Sequence, residues 1–520
     1  MNLVMKSPSG SNLLPMPSTT FKLERRRGSR RFSQQKLFLG TLIFVAALLA
    51  FPLLRHVRDD TCSASPFLLR AGLCSTVFHA LWNIFHHLGG NGPWIRKLHS
   101  VNYYDSPLPK KCSVDQVHML SRHAERYPTK AAGSRHIDLL SRLKDSEVNL
   151  TGSLSFLKEW TYFTDLSNPA FENLTATGPY AGTRQASNTG RVLRQRYNHL
   201  VSDGRRTNFW SCSSPRDVET AEHFATGFFG PDWRSDGSAA LVVIPEDEDR
   251  GANTLTPGDT CLKYRNDKEH GHDHGYAKLA EWQRTFSQAI AERLANDAEG
   301  MIFSPLDVYG MMEMCGFEIL ARGKSPWCDV FEQHEWLQFE YARDLLHYYR
   351  AGPGNKFGAI LGWLWLNATQ QLMSNHSSQD VYFSFVHDGD IVPALATLGI
   401  FDESLGLGHL PTDRLVTERK WKTSDVVPMG GRLIFERITC ETDGGLTEIG
   451  RGHAVRLFIN DGLIDLAKLT DMDPFSHVEG AVSLESFQTS LSIKGTQLGK
   501  FREICSLPDD APDGIDFLHQ

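Results

Sequence analysis

Three short stretches concentrate the side chains able to do chemistry. The first runs Met119-Leu120-Ser121-Arg122-His123-Ala124-Glu125-Arg126-Tyr127-Pro128, with one imidazole between two guanidiniums. A guanidinium is planar, permanently charged and matched to phosphate oxygens. Its field also disfavours protonation of a neighbouring imidazole, which keeps a nitrogen lone pair free to attack. The pattern points to phosphoryl chemistry at His123; the competing reading is an Arg-rich surface loop. The second stretch is Ser214-Pro215-Arg216-Asp217. Ser at the N-cap, Pro at the first position and acidic residues in the first turn mark a helix start, where backbone N–H groups favour an anion. Arg216 there is either an anion ligand or an ordinary surface residue beside Asp217 and Glu219. The third is His387-Asp388-Gly389-Asp390. A leaving alkoxide needs a proton donor, and a carboxyl group suits acidic conditions. Asp388 ranks first for that role and Asp390 second, against a plain helix cap.

Each stretch follows a run that reads as a buried strand: Gln116 to Leu120, Asn208 to Cys212, and Val381 to Val386. Helices are expected over Thr183 to Leu200, from Ser214 to Gly230-Pro231, and from Ile391 to Leu398. Strand followed by helix, repeated, predicts an α/β fold. From about 262 to 346 the chain reads mostly helical, with polar loops. Within it, Glu269 to His274 carries three histidines in five residues, but a glycine-containing loop fixes no coordination geometry, so it reads as solvated. Gly323-Lys324-Ser325 is no phosphate loop, because the glycine required five residues earlier is Glu318. Glu335, Glu340 and Asp344 read as solvated helix carboxylates.

The chain has 520 residues and a net charge of −7, unevenly spread. Residues 1–36 hold eight basic side chains against Glu24 alone, so the remainder is strongly acidic. An acidic body excludes a nucleic-acid partner, which requires a basic face. Leu37 to Leu54 is an 18-residue run without charge, at the lower edge for a membrane span. With the basic cluster before it, the expected arrangement is a cytosolic tail (1–36), a signal anchor (37–54), a membrane-proximal stalk (55–105) and a lumenal or extracellular body (106–520). A cleaved signal and a secreted body are the alternative. Within the stalk, Val77 to Leu88 forms an apolar helix candidate, for the membrane surface or for packing on the body. Sequons at Asn149, Asn173, Asn367 and Asn375, and all nine cysteines, lie beyond the apolar run, as a body in the secretory pathway requires.

The three motifs, in order, resemble those of the histidine acid phosphatase family, the fungal phytases and yeast-type acid phosphatases in particular. The family's first motif is Arg-His-Gly-x-Arg-x-Pro, and Ala124 stands in place of its glycine. The similarity covers roughly Ser106 to the C-terminus and includes Gly352-Pro353-Gly354-Asn355. It implies a three-layer sheet-and-helix domain with an inserted, mostly helical cap, drawn largely from about 130–200 and 262–346. It implies that His123 attacks phosphorus to form a phosphohistidine. Arg122, Arg126, Arg216 and His387 would bind the phosphoryl oxygens, and Asp388 would be the general acid. No cofactor or metal is expected, since arginines supply the positive charge, and the partner is a small phosphomonoester. It further implies disulfides Cys112–Cys440, Cys261–Cys505 and Cys315–Cys328, leaving Cys212 odd, as a buried thiol or a partner for Cys62 or Cys74. A positive φ at residue 124 would make alanine a source of strain. A catalytically weak or inactive phosphate-binding surface glycoprotein is the alternative function, and phytase versus broad acid phosphatase stays open.

Overall fold

The computed structural model describes residues 82–97, 106–145, 148–201, 204–374, 379–403, 408–442 and 450–519. Its centre is a mixed sheet in the order β3-β2-β4-β1-β5-β6-β7. The strands are β1 (Cys112–Arg122), β2 (Thr207–Cys212), β3 (Ala239–Ile244), β4 (Val381–Val386), β5 (Arg432–Thr442), β6 (Gly450–Ile459) and β7 (Gly462–Ile464), with β8 (Val482–Ser483) paired to β6. The first four run parallel, and β5 to β7 add antiparallel pairs. β4 follows β2 by some 170 residues in the chain, yet it inserts between β1 and β2. All three therefore end on the same edge, where ligands gather in open α/β sheets.

Residue alternation along the strands feeds both faces. Val117, Met119, Phe383, Phe385 and Ile434 pack with Leu193, Tyr197, Ala221, Phe224 and Phe228. The latter come from α2 (Gly182–Tyr197) and α3 (Pro215–Phe228), which follow α1 (Lys130–Asp145) in the chain. α4 (Asp273–Ala295), α5 (Pro305–Arg322) and α6 (Gln333–Arg350) pack on one another through Trp282, Tyr341, Tyr309 and Phe339. On the opposite sheet face Phe435 meets Trp365 of α7 (Gly358–Ser374) and Phe487 of α9 (Leu484–Leu498), and α8 (Asp388–Leu398) packs on α7. Helices, sheet and helices make the three layers. α1 and α4 to α6, from the tracts expected to form the cap, pack together, whereas α2, expected with them, belongs to the sheet's helical layer because its apolar stripe lies in the sheet core.

Several expectations change. Residues 84–97, expected in a stalk, fold into the body: Leu88 is fully buried, and the backbone around Gly89 and Gly90 serves the site described below. Glu335, Glu340 and Asp344 are buried, not solvated. Arg293 pairs with Glu335 at 2.7 Å, Arg419 bridges Glu340 and Asp344 at 2.9 and 2.5 Å, and His87 reaches Glu340 at 2.6 Å. A helix carboxylate reads as solvated only until partners distant in sequence are known. Disulfides join Cys112–Cys440, Cys261–Cys505 and Cys315–Cys328, and Cys212 is free and buried. Asn149 and Asn173 are exposed and Asn367 is half-buried on α7, while Asn375 lies outside the described residues. The anchor expected at Leu37–Leu54 also lies outside them; among the described residues no helix is long and apolar enough to cross a membrane.

α2 and α3 meet at bare backbone. A Cβ on Gly190 would stand 2.2 Å from the Phe224 carbonyl oxygen, and one on Gly227 2.0 Å from that of Ser187. Because Arg216 is the second residue of α3, this contact also sets where that arginine sits. Gly227→Val is expected to push the helices apart and lower stability by about 1–3 kcal/mol, read from urea unfolding. An unchanged midpoint would show that the helices adjust freely.

Candidate active site

The parallel pairing of β1 with β4 places Arg122 opposite Val386. The His123 N–H donates to the Val386 carbonyl at 3.1 Å, so His123 and His387 leave neighbouring strands side by side, ring centroids 6.4 Å apart. The His123 Nδ1 lies 2.9 Å from the Ala124 carbonyl oxygen, which can only accept, so Nδ1 carries the proton. Nε2 is then the bare nitrogen, and it accepts from Arg126 Nε at 3.2 Å. Burial, reinforced by Arg126, Arg122 and Arg216, holds the His123 pKa well below the ordinary imidazole value. Both effects favour the neutral ring, with an unprotonated Nε2.

The arginines occupy different niches. Arg122 is 1% exposed; its Nη1 donates to the carbonyls of Gly90 and Val427 at 2.7 and 2.6 Å, and its Nη2 pairs with Asp388 at 2.9 Å. Its Nε is buried without a hydrogen-bond partner. Burial, opposed by Asp388, brings its pKa down to about 10, and burial beside Arg122 brings Arg126 to about 9. Burial leads this depression and the neighbouring guanidiniums add to it, while Asp388 opposes it. Arg216, second residue of α3, reaches to 3.2 Å from His387 Nδ1. Ser214 takes the N-cap position, but its side chain makes no capping bond; its N–H donates to Glu246 at 2.8 Å.

His387 caps α8, and its N–H donates to Asp390 Oδ2 at 3.1 Å. Asp390, the second-ranked proton donor, is thereby committed as a capping side chain. The His387 Nδ1 also lies 3.0 Å from the fully buried Asp217 carboxylate. One ring proton cannot serve a carboxylate and face a guanidinium donor as a hydrogen bond, so Asp217 is its partner. Burial disfavours the charged ring, yet Asp217 outweighs it and the His387 pKa is raised well above the usual value. Asp388 shows the opposite balance. Arg122 holds one oxygen, and Arg350 Nη2 holds the other at 2.6 Å. Burial would raise the Asp388 pKa, but these two guanidiniums and His347 keep it well below the carboxylate range.

All six residues named from the motifs converge at one sheet edge. Others were not anticipated. Arg343, His347 and Arg350 line one face of α6 at positions i, i+4 and i+7. Arg343 donates to Gly89 O at 2.8 Å and to His347 Nε2 at 3.1 Å. That spacing was visible in the sequence; its target was not. Glu246, two residues past β3, and Cys212, ending β2, flank the far side of His387 at 3.5 and 3.7 Å from Nε2. The three histidines of 269–274 do not converge: His272 pairs with Asp273 at 3.1 Å, and the rings of His270 and His274 stand 6.1 Å apart.

Ala124 does not have a positive φ. Its methyl packs with Leu174 and Ala186 in a small apolar cluster, and its N–H donates to Thr220 Oγ1 at 2.9 Å. The backbone tolerates alanine, and the side chain fills a core rather than crowding the site. Ala124→Gly is therefore expected to leave turnover within about twofold while lowering stability by about 1–2 kcal/mol, from one lost buried methyl and a more flexible unfolded chain. A large gain in turnover on this substitution would show that the methyl obstructs the reaction.

Comparison with known proteins agrees with this geometry. Residues 113–460 match the model of the histidine phosphatase superfamily (branch 2). The chain is 32% identical over 439 residues to the acid phosphatase PHO1 of Komagataella pastoris, covering 83% of this chain and 88% of that one. It is 32% identical over 401 residues to the phytase PHO112 of Candida albicans, covering 76% and 82%. The crystal structure of the phytase from D. castellii is similar with a TM-score of 0.73 at 27% identity, over 84% of this chain and 90% of that one. With its nucleophile-ready histidine among arginines at the end of β1, this chain belongs to the histidine phosphatase superfamily, branch 2, and is a phosphomonoester hydrolase.

Proposed function

We propose that His123 Nε2 attacks the phosphorus of a monoester in line, forming a phosphohistidine that water then hydrolyses. The observation that carries this reading is the proton held on Nδ1 by the Ala124 carbonyl, which leaves Nε2 bare among Arg122, Arg126 and Arg216. These arginines, with a charged His387, bind the equatorial oxygens and stabilise charge in the transition state. Asp388 protonates the departing alcohol. In the resting arrangement it is a carboxylate clamped by two guanidiniums. An arriving phosphoryl group competes for Arg122 and brings negative charge beside Asp388; both effects raise its pKa. The substrate itself thus favours the acid form, and low pH favours it further.

The preferred substrate reading is a broad acid phosphatase over a dedicated phytase. The acidic body and the Glu246 carboxylate beside His387 are less suited to a polyanion than to a monoester with one phosphate. The three disulfides support folding in an oxidising compartment, with the body lumenal or extracellular. Para-nitrophenyl phosphate and inositol hexakisphosphate should be assayed side by side at pH 5 with chelator present. Both activities are expected to vanish in His123→Ala, with the aryl ester hydrolysed faster by the parent; residual turnover in that variant would exclude His123 as nucleophile.

Arg350 provides a second test, on pH. The charged and titratable groups acting on Asp388 are Arg122 and Arg126 from the first motif and Arg343, His347 and Arg350 from α6. Removing a cation raises a carboxyl pKa, so the proton survives to higher pH. Arg350→Gln is expected to move the basic limb of the kcat/KM profile upward, and a limb that stays fixed or moves down would separate Asp388 from the proton transfer.

A further inference from the structure

On the side of His387 away from His123, three potential metal ligands converge. Cys212 Sγ, Glu246 Oε2 and His387 Nε2 all lie within 4.8 Å of one another. Cys212 ends β2, His387 directly follows β4 and Glu246 lies two residues past β3; the pairing of these strands in the sheet brings all three to one edge. Cys212 is fully buried, whereas the Glu246 and His387 side chains are 25% and 18% exposed, leaving an approach from the pocket side. The donor set of one thiol, one imidazole and one carboxylate suits a borderline-soft divalent cation such as Zn2+ and ill suits Mg2+ or Ca2+.

A second observation concerns the other ring nitrogen. Metal-bound histidines commonly direct their remaining N–H at a carboxylate, which fixes the tautomer and makes the ligand more basic. His387 Nδ1 already lies 3.0 Å from Asp217, whose carboxylate is fully buried and otherwise lacks a hydrogen-bond partner. The surrounding charge is favourable: Asp217, Asp259 and Glu246 face this ring against Arg216 alone on the same side. The thiol is held protonated by burial, and coordination would release that proton and the Nε2 proton of the ring to solvent.

We propose that Cys212, Glu246 and His387 form a site for a thiophilic divalent cation, Zn2+ above all, and that its occupation switches phosphate hydrolysis off. Inhibition follows because a ring held by metal on Nε2 and by Asp217 on Nδ1 is fixed in place with no N–H free to turn towards a phosphoryl oxygen. This consequence rests on the reaction proposed above; the binding site itself does not. Cys212 makes no contact with His123, Asp388 or the three arginines around the nucleophile, so the site is separable from the chemistry by substitution.

The test uses the full-length protein, freed of metal with chelator and then dialysed. Zinc uptake is measured by equilibrium dialysis, its ligands by X-ray absorption, and activity on para-nitrophenyl phosphate in a zinc titration with Mg2+ as control. One equivalent bound through one sulfur and light atoms, with activity falling in step and restored by chelator, is expected. Cys212→Ser should keep its activity and weaken both zinc binding and inhibition by at least about 100-fold, since even changes outside the ligand set cost 10–100-fold. Glu246→Gln should weaken both by less. Failure to bind zinc, or inhibition that is unchanged in Cys212→Ser, overturns the site; zinc bound through Cys212 with full activity overturns the switch. Cys212-dependent zinc uptake in a folded parent lacking phosphatase activity would instead refute the proposed reaction and leave the site standing.

Discussion

The backbone ladder between β1 and β4 is the constraint on which everything else depends. Because the pair is parallel and Arg122 sits opposite Val386, the next residues on both strands are the two histidines. A slip of one residue would turn every side chain to the opposite face and separate them. More than 250 residues lie between the two strands in the chain, and none of their variety disturbs that register. The same edge takes Cys212 from β2 and Glu246 from beyond β3, so all four parallel strands contribute a polar side chain to one crevice.

Electrostatically the crevice is unfinished. Arg122, Arg126 and Arg216 depress the protonation of His123, and burial together with their mutual repulsion depresses the pKa values of Arg122 and Arg126. Asp388 is the internal anion that partly balances them, and Arg350 adds a further cation behind it. An arrangement of this kind is stable only because β1, α3 and α6 hold the guanidiniums apart from solvent and fix their directions. It releases that repulsion when a phosphoryl group arrives, which places binding energy at the reacting centre.

The chemistry was legible in the sequence because its residues are clustered: Arg122, His123 and Arg126 within five positions, His387 and Asp388 adjacent, Arg216 at a recognisable helix start. Strand and helix expectations around them agree with the structure to within a few residues. What stayed hidden depends on long-range packing. Arg350 is one helix residue among many until α6 is docked against Asp388. Glu340 and Asp344 looked solvated because Arg419, their partner, lies some 75 residues on. Asp217 was read correctly as a first-turn acid, but nothing local told of its burial beside His387. In residues 84–97 the apolar run ending at Leu88 marked a helix able to pack on the body, but nothing marked Gly89 and Gly90 as acceptors for arginines.

That segment alters what counts as the enzyme. The match to the superfamily model begins at residue 113, yet the guanidinium of Arg122 rests one hand on the carbonyl of Gly90, and Arg343 rests on that of Gly89. At the other end, Cys505 is bonded to Cys261, and it too lies outside the matched span of 113–460. The span of the superfamily model and the span of the physical unit therefore have different borders in this chain. A fragment cut to the borders of that model match would keep every named reactive residue and still leave a buried cation short of an acceptor, a deficiency no inspection of the motifs would reveal.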